Sequence, residues 1–150
     1  MPEPVKLRKL KAEGFQFIQE IRINASPQKT WKSLLNIGNW FKFDPTEKPR
    51  AKLEPWVGGR FYREEPSGEA ALHGIVTYFQ PNKLLRLSGP IGMSHLPVSN
   101  AFIFELTPDK KGTILKLCQR TFGYMDPDLK NRYQGGWKKL LPQLKALAEK

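Results

Sequence analysis

The chain has 150 residues, 39% of them hydrophobic and 26% charged, and a domain of that size buries enough surface to stand without disulfides or metals. Its single cysteine, Cys118, excludes an intramolecular disulfide and any multi-cysteine zinc site, and no apolar run reaches the ~20 residues of a membrane helix. The net charge of +11 admits nucleic acid, an anionic membrane or acidic ligands, but the cations are scattered from Lys6 to Lys145 outside any recognisable nucleic-acid module, so a solvated basic surface is expected and no nucleic-acid partner.

Residues 1–14 read as a basic arm ending at Gly14, followed by one domain over 15–150. No apolar h-region follows the N-terminal positive charges, so no secretory signal is read, and a cytoplasmic, reducing compartment is the expectation. From Phe15 the pattern alternates, with Phe17, Gln19, Ile21 and Ile23 on the same parity, the mark of a half-buried strand. Ser26 and Pro27 then predict a helix start, Ser26 as N-cap and Pro27 in the first turn, where no N–H is needed. Trp31, Leu34 and Leu35 share one face of this helix, Gly38 ends it, and a second short helix or irregular piece carries Trp40, Phe41 and Phe43.

The stretch 46–59 reads as a loop, and strands are predicted over 60–65, 70–79, 83–89, 100–107 and 113–122, separated by Pro-, Asn- and Gly-rich turns. Short connections between successive strands imply an antiparallel meander. At Asp126 and Pro127 the period changes to three and four, and Leu129, Tyr133, Trp137, Leu140, Leu141, Leu144 and Leu147 define a long amphipathic helix. Gly135, Gly136 and Pro142 interrupt it at a cost of about 1 kcal/mol per glycine and about 3 for an interior proline. The expectation is that the glycines let the helix approach the sheet closely and that the proline kinks it to follow the sheet's curve.

Five local patterns, in this order, resemble the START-like (SRPBCC) superfamily, and within it the domains homologous to the activator of the heat-shock-chaperone ATPase (AHSA-type). They are Ala25-Ser26-Pro27 with Trp31, Trp56-Val57-Gly58-Gly59-Arg60-Phe61, His73-Gly74-Ile75-Val76, Phe104-Glu105-Leu106-Thr107-Pro108, and Gly135-Gly136-Trp137 with Leu140 and Leu141. The resemblance runs from about Phe15 to the C-terminus and implies an α+β helix-grip fold. In that fold a curved antiparallel sheet wraps a long C-terminal helix, two short helices follow the first strand, and a cavity lies between sheet and helix. It is specific for fold and poor for activity, because such folds host many functions.

Strand alternation points Phe61, Arg63, Leu85, Leu87, Phe102, Phe104, Leu106, Leu115, Leu117, Gln119 and Thr121 inward. The candidate ligand-binding residues are therefore Trp40, Trp56, Phe61, Arg63, Leu87, Phe102, Phe104, Leu117, Gln119, Thr121, Tyr133, Trp137 and Leu141. Arg63 anchors a ligand carboxylate or phosphate, or pairs instead with Glu64, Glu65 or Glu69. Trp40, Trp56 and the 90–98 loop with Met93 and Leu96 would form the cavity's mouth or else pack plainly against the long helix. His73 and His95 stand in no metal-ligand spacing, and no nucleophile elbow or phosphate-binding glycine motif occurs, so no catalytic residue, metal or cofactor is assigned. The leading reading is a carrier or sensor of a hydrophobic or amphipathic small molecule. The alternatives are a cyclase- or hydrolase-like enzyme using the same cavity and a co-chaperone-like interaction domain. The second fits less well, since the chain shows no room for the extra domain such co-chaperones carry.

Overall fold

A computed structural model describes residues 2–150. The chain runs β1 (Ala12–Ile23), α1 (Pro27–Leu35), a 3-10 turn (Ile37–Asn39), β2 (Ala51–Leu53), β3 (Arg60–Glu64), β4 (Ala70–Gln80), β5 (Leu84–Gly89), β6 (Val98–Asp109), β7 (Gly112–Tyr124) and α2 (Leu129–Ala148). The strands form one antiparallel sheet in the order β1-β7-β6-β5-β4-β3-β2. Short connections, the longest over residues 90–97, account for the meander from β2 to β7. β1 instead pairs with the last strand, so residues 24–50 carry the chain from one sheet edge to the other.

Local chemistry explains most boundaries. Ser26 Oγ accepts a hydrogen bond from the Lys29 amide (3.1 Å) and Pro27 opens the first turn of α1, as the cap pattern predicts. The helix stops at Leu35 with Asn36 as its cap. Gly38 lies beyond the stop, in the 3-10 turn, where a Cβ would sit 2.8 Å from the Ala51 carbonyl oxygen. The second short helix is thus three residues long and precedes Trp40; Trp40 to Phe43 are irregular.

Two further departures share one cause, backbone pairing that no side-chain pattern announces, and a third lies at the start of the last helix. β1 begins at Ala12 because Ala12, Glu13 and Gly14 pair with Tyr124, Gly123 and Phe122. β2 lies inside the expected loop, three residues too short to show a period, held by pairing of Ala51, Lys52 and Leu53 with Arg63, Tyr62 and Phe61. α2 begins at Leu129, since the Asp126 side chain accepts from the Asp128 amide (2.9 Å) in a turn before the helix. The helix then continues through Pro142, which faces solvent.

The inner face of the sheet carries Phe61, Leu85, Leu87, Phe102, Phe104, Leu115 and Leu117, all fully buried. α2 lays Leu129, Tyr133, Trp137, Leu140, Leu141 and Leu144 against them. The centre is aromatic: Phe41 meets Phe61 edge-on (5.1 Å between centroids), and Phe104 meets Trp137 (5.8 Å) and Trp40 (6.3 Å). This is the α+β helix-grip architecture. Among the described residues no helix is long and apolar enough to cross a membrane.

Candidate functional site: a cavity beneath the first half of α2

At the end of the sheet where β3 finishes and β4 starts, packing between sheet and helix is incomplete. A cavity of about 290 Å³ opens there, walled by Phe41, Phe43, Ile91, Met93, Trp137 and Leu140, with Arg63, His73, Arg132 and Tyr133 among its polar neighbours. Gly136 also lines it, and a Cβ at either Gly135 or Gly136 would meet nothing within 4 Å. The glycines therefore do not bring helix and sheet into close contact. Gly135 faces solvent, and Gly136 leaves space that a side chain would fill. Phe43 is held at the wall by Lys139, whose ammonium donates to the Phe43 carbonyl.

The helix is fixed over this space by a buried polar network. The Tyr133 hydroxyl donates to the Pro90 carbonyl (2.9 Å) and accepts from Asn100 Nδ2 (3.1 Å). Gln119 Nε2 donates to Asn100 Oδ1 and Thr121 Oγ1 (3.0 Å each), and Trp137 Nε1 donates to Gln119 Oε1 (2.6 Å). The Thr121 hydroxyl donates to Asn100 Oδ1 (2.5 Å). Gln119 and Thr121 thus spend their hydrogen-bonding capacity on orienting Tyr133 and Trp137. Burial pushes the Tyr133 phenol above its ordinary pKa, so it serves as a neutral donor.

Arg63 sits at the polar end with only 12% of its side chain exposed. Its Nη2 pairs with Glu47 (2.9 Å), its Nε with Glu65 (2.8 Å), and its guanidinium lies over the Phe43 ring. Arg50 joins the same carboxylates, 2.5 Å from Glu65 and 3.7 Å from Glu47. The bond to Glu47 raises the Arg63 pKa further, and the bond from Arg63 lowers that of Glu65. Glu65 was among the partners sequence suggested. Glu47 was not, because it lies sixteen residues away in an irregular segment.

His73 owes its position to a β-bulge. Phe61 pairs with Gly74 and Tyr62 with Leu72, which leaves His73 as the extra residue of β4 and turns it inward. Its ring is wedged between Phe61 (4.9 Å) and Phe41 (5.5 Å), and the residue is 5% exposed. Burial, and then the nearby Arg63 charge, lower its pKa to about 4, so it is neutral at physiological pH.

Of the residues singled out from sequence, Arg63, Tyr133 and Trp137 line this cavity. Phe61, Leu87, Phe102, Phe104, Leu117 and Leu141 are packed core and do not line it. Trp40 is buried too, its indole N–H donating to the Leu34 carbonyl (3.1 Å), and Trp56 is 56% exposed on the β2–β3 loop, so neither forms a mouth. Of the 90–98 loop, Ile91, Gly92 and Met93 reach the wall, and Leu96 packs on the core. Sequence reasoning missed Phe41, His73 and Gly136 as wall residues. Alternation had no way to mark His73, because the bulge breaks the parity on which alternation depends. Among the described residues no group of three or more His, Cys, Asp or Glu is placed to hold a metal ion.

The family model described as activator of Hsp90 ATPase homolog 1-like protein matches residues 24–149. Several solved structures share the fold. A protein of Rhizobium leguminosarum is similar with a TM-score of 0.74 at 16% identity, over 95% of this chain and 99% of that one. One of Chromobacterium violaceum gives 0.67 at 21% identity, over 90% and 97% of the two chains. One of Mesorhizobium loti gives 0.65 at 25% identity, over 89% and 96%. No curated protein matches the chain.

Proposed function

The chain belongs to the family of activator of Hsp90 ATPase homolog 1-like proteins, and on that footing we propose that it binds a small, mostly apolar molecule in the cavity beneath α2. The observation that carries this reading is the space itself, about 290 Å³ walled largely by aromatic and aliphatic side chains. Ligand sites generally run from roughly 300 to 1,000 Å³, so this one suits a molecule of one or two rings rather than a whole phospholipid. Gly136 supports the reading: a glycine inside a helix is unfavourable, and here it preserves the cavity. The lone Cys118 is compatible with the cytoplasmic setting this role assumes. A co-chaperone role has the family's name behind it, but the feature built into this chain is a cavity.

Native mass spectrometry after gentle purification, and thermal melting against a panel of small aromatics, test the proposal. The wild-type protein should take up ligand and melt higher by ligand linkage. A Gly136→Phe protein should fold, with its new ring in the cavity, and show no such shift. Uptake that survives in Gly136→Phe would place the ligand elsewhere.

A further inference from the structure

Among the polar groups around the cavity, a few buried atoms lack any hydrogen-bond partner. Arg63 Nη1 and both ring nitrogens of His73 belong to wall residues, and Glu47 Oε1 lies behind them on the carboxylate that Arg63 already engages. Gln119, Thr121, Asn100 and the Trp137 N–H satisfy one another, so the open valences gather at one end of an aromatic chamber. Buried polar atoms are nearly always paired, and a cluster of exceptions beside a cavity marks where a ligand's polar group belongs. Gly92 lies against the same ring edge, where a Cβ would sit 3.3 Å from Cε1 and 3.7 Å from Nδ1 of His73 and would crowd it further.

The charge around the chamber narrows the ligand further. Although the chain carries +11, the guanidinium groups of Arg50, Arg63 and Arg132 are paired here with the carboxylates of Glu47, Glu65 and Asp126, and Glu69 adds a further carboxylate to the lining. Arg63 holds two of those carboxylates, so a ligand anion would meet a guanidinium already neutralised and would add one more negative charge to the cluster. The anion anchor expected of Arg63 is therefore occupied from within. A neutral imidazole offers one N–H and one lone pair, and Arg63 Nη1 offers N–H alone. A hydroxyl, which both donates and accepts, complements that set.

We propose that the cavity selects an uncharged aromatic molecule bearing a hydroxyl group, bound with its hydroxyl at His73 and Arg63, and rejects the corresponding carboxylate. This rests on the small-ligand reading above. The test compares naphthalene, 2-naphthol and 2-naphthoate by calorimetric or NMR titration at neutral pH. The naphthol should bind about tenfold or more tighter than either relative, the scale of one well-made buried hydrogen bond. His73→Phe should abolish the naphthol's advantage over naphthalene measured in the same variant, and continued uptake of naphthalene shows that the variant's cavity is intact. Arg63→Met should act in the same direction. Naphthoate binding tightest, or a naphthol advantage that persists in a folded His73→Phe protein, would overturn the proposal. Equal affinities for all three would overturn it and leave the small-ligand reading standing, whereas uptake of none would remove both.

Discussion

Arg63 and His73 show how burial treats two bases on one wall. Arg63 keeps its charge because Glu47 and Glu65 come with it into the protein. His73 has no carboxylate beside it and gives its charge up. The consequence is a pH dependence whose sign follows from the shift. Folding lowers the His73 pKa from 6.5 to about 4, so the unfolded chain binds the proton first as the solution is acidified. Stability from this group is complete above pH 6.5 and is lost as pH falls towards 4. The size is roughly 3 kcal/mol, taking 1.36 kcal/mol per pKa unit. Urea melts of wild type and His73→Phe across that window check it: the wild type should lose this increment and the variant should not. Carboxylates with lowered pKa, such as Glu65 and Glu149, are common to both proteins and lose their contribution at lower pH, below 4.5.

Among the elements, α2 carries the clearest conflict between stability and site. A Cβ at Gly135 or Gly136 meets open space, so alanine at either should stabilise the helix by up to about 1 kcal/mol through propensity alone. The two should differ in ligand affinity: Gly136→Ala projects a methyl into the cavity and should weaken binding, while Gly135→Ala on the solvent side should not. Denaturant midpoints with one titration each separate the effects, and a loss of stability in Gly136→Ala would mean that the glycine is needed for packing after all. The elements differ in how far they can be read from sequence. β6 and β7 are long and flanked on both sides, with one face buried, so their alternation gives Phe102, Phe104, Leu115, Leu117 and Gln119 as inward residues. β2 has three residues and no period, and the bulge in β4 removes the parity that would have turned His73 inward.

Across the whole molecule, the sheet is completed by β1 joining β7 along its entire length, from Ala12 against Tyr124 to Ile23 against Thr113. Residues 2–11 lie outside that ladder and are exposed; an ion pair of Lys11 with Glu13 at 3.8 Å is a surface contact of small value. Removing residues 2–11 should therefore change the unfolding free energy by no more than about 0.5 kcal/mol. Extending the deletion through Phe17 would strip half of the β1–β7 pairs and should be strongly destabilising. Circular dichroism melts of the two truncated chains distinguish these outcomes, and a large loss in the shorter deletion would show that the arm packs on the domain.

Periodicity, caps and turn residues are properties of neighbouring positions, and these were sufficient for the order of elements, the inner face of the central strands and the buried stripe of α2. The helix-grip arrangement was legible for that reason, helped by the patterns shared with a known family. The site was less so. A cavity is a place where packing fails, and it arises from small differences in distance among Phe43, Arg63, His73, Gly92 and Gly136, residues on separate elements of the chain. Only the tertiary structure could assign Gln119 and Thr121 to an internal network, bring Glu47 onto Arg63, and leave His73 without a partner. Each of these depends on which groups meet across long sequence separations, and that is decided by how the whole sheet closes on its helix.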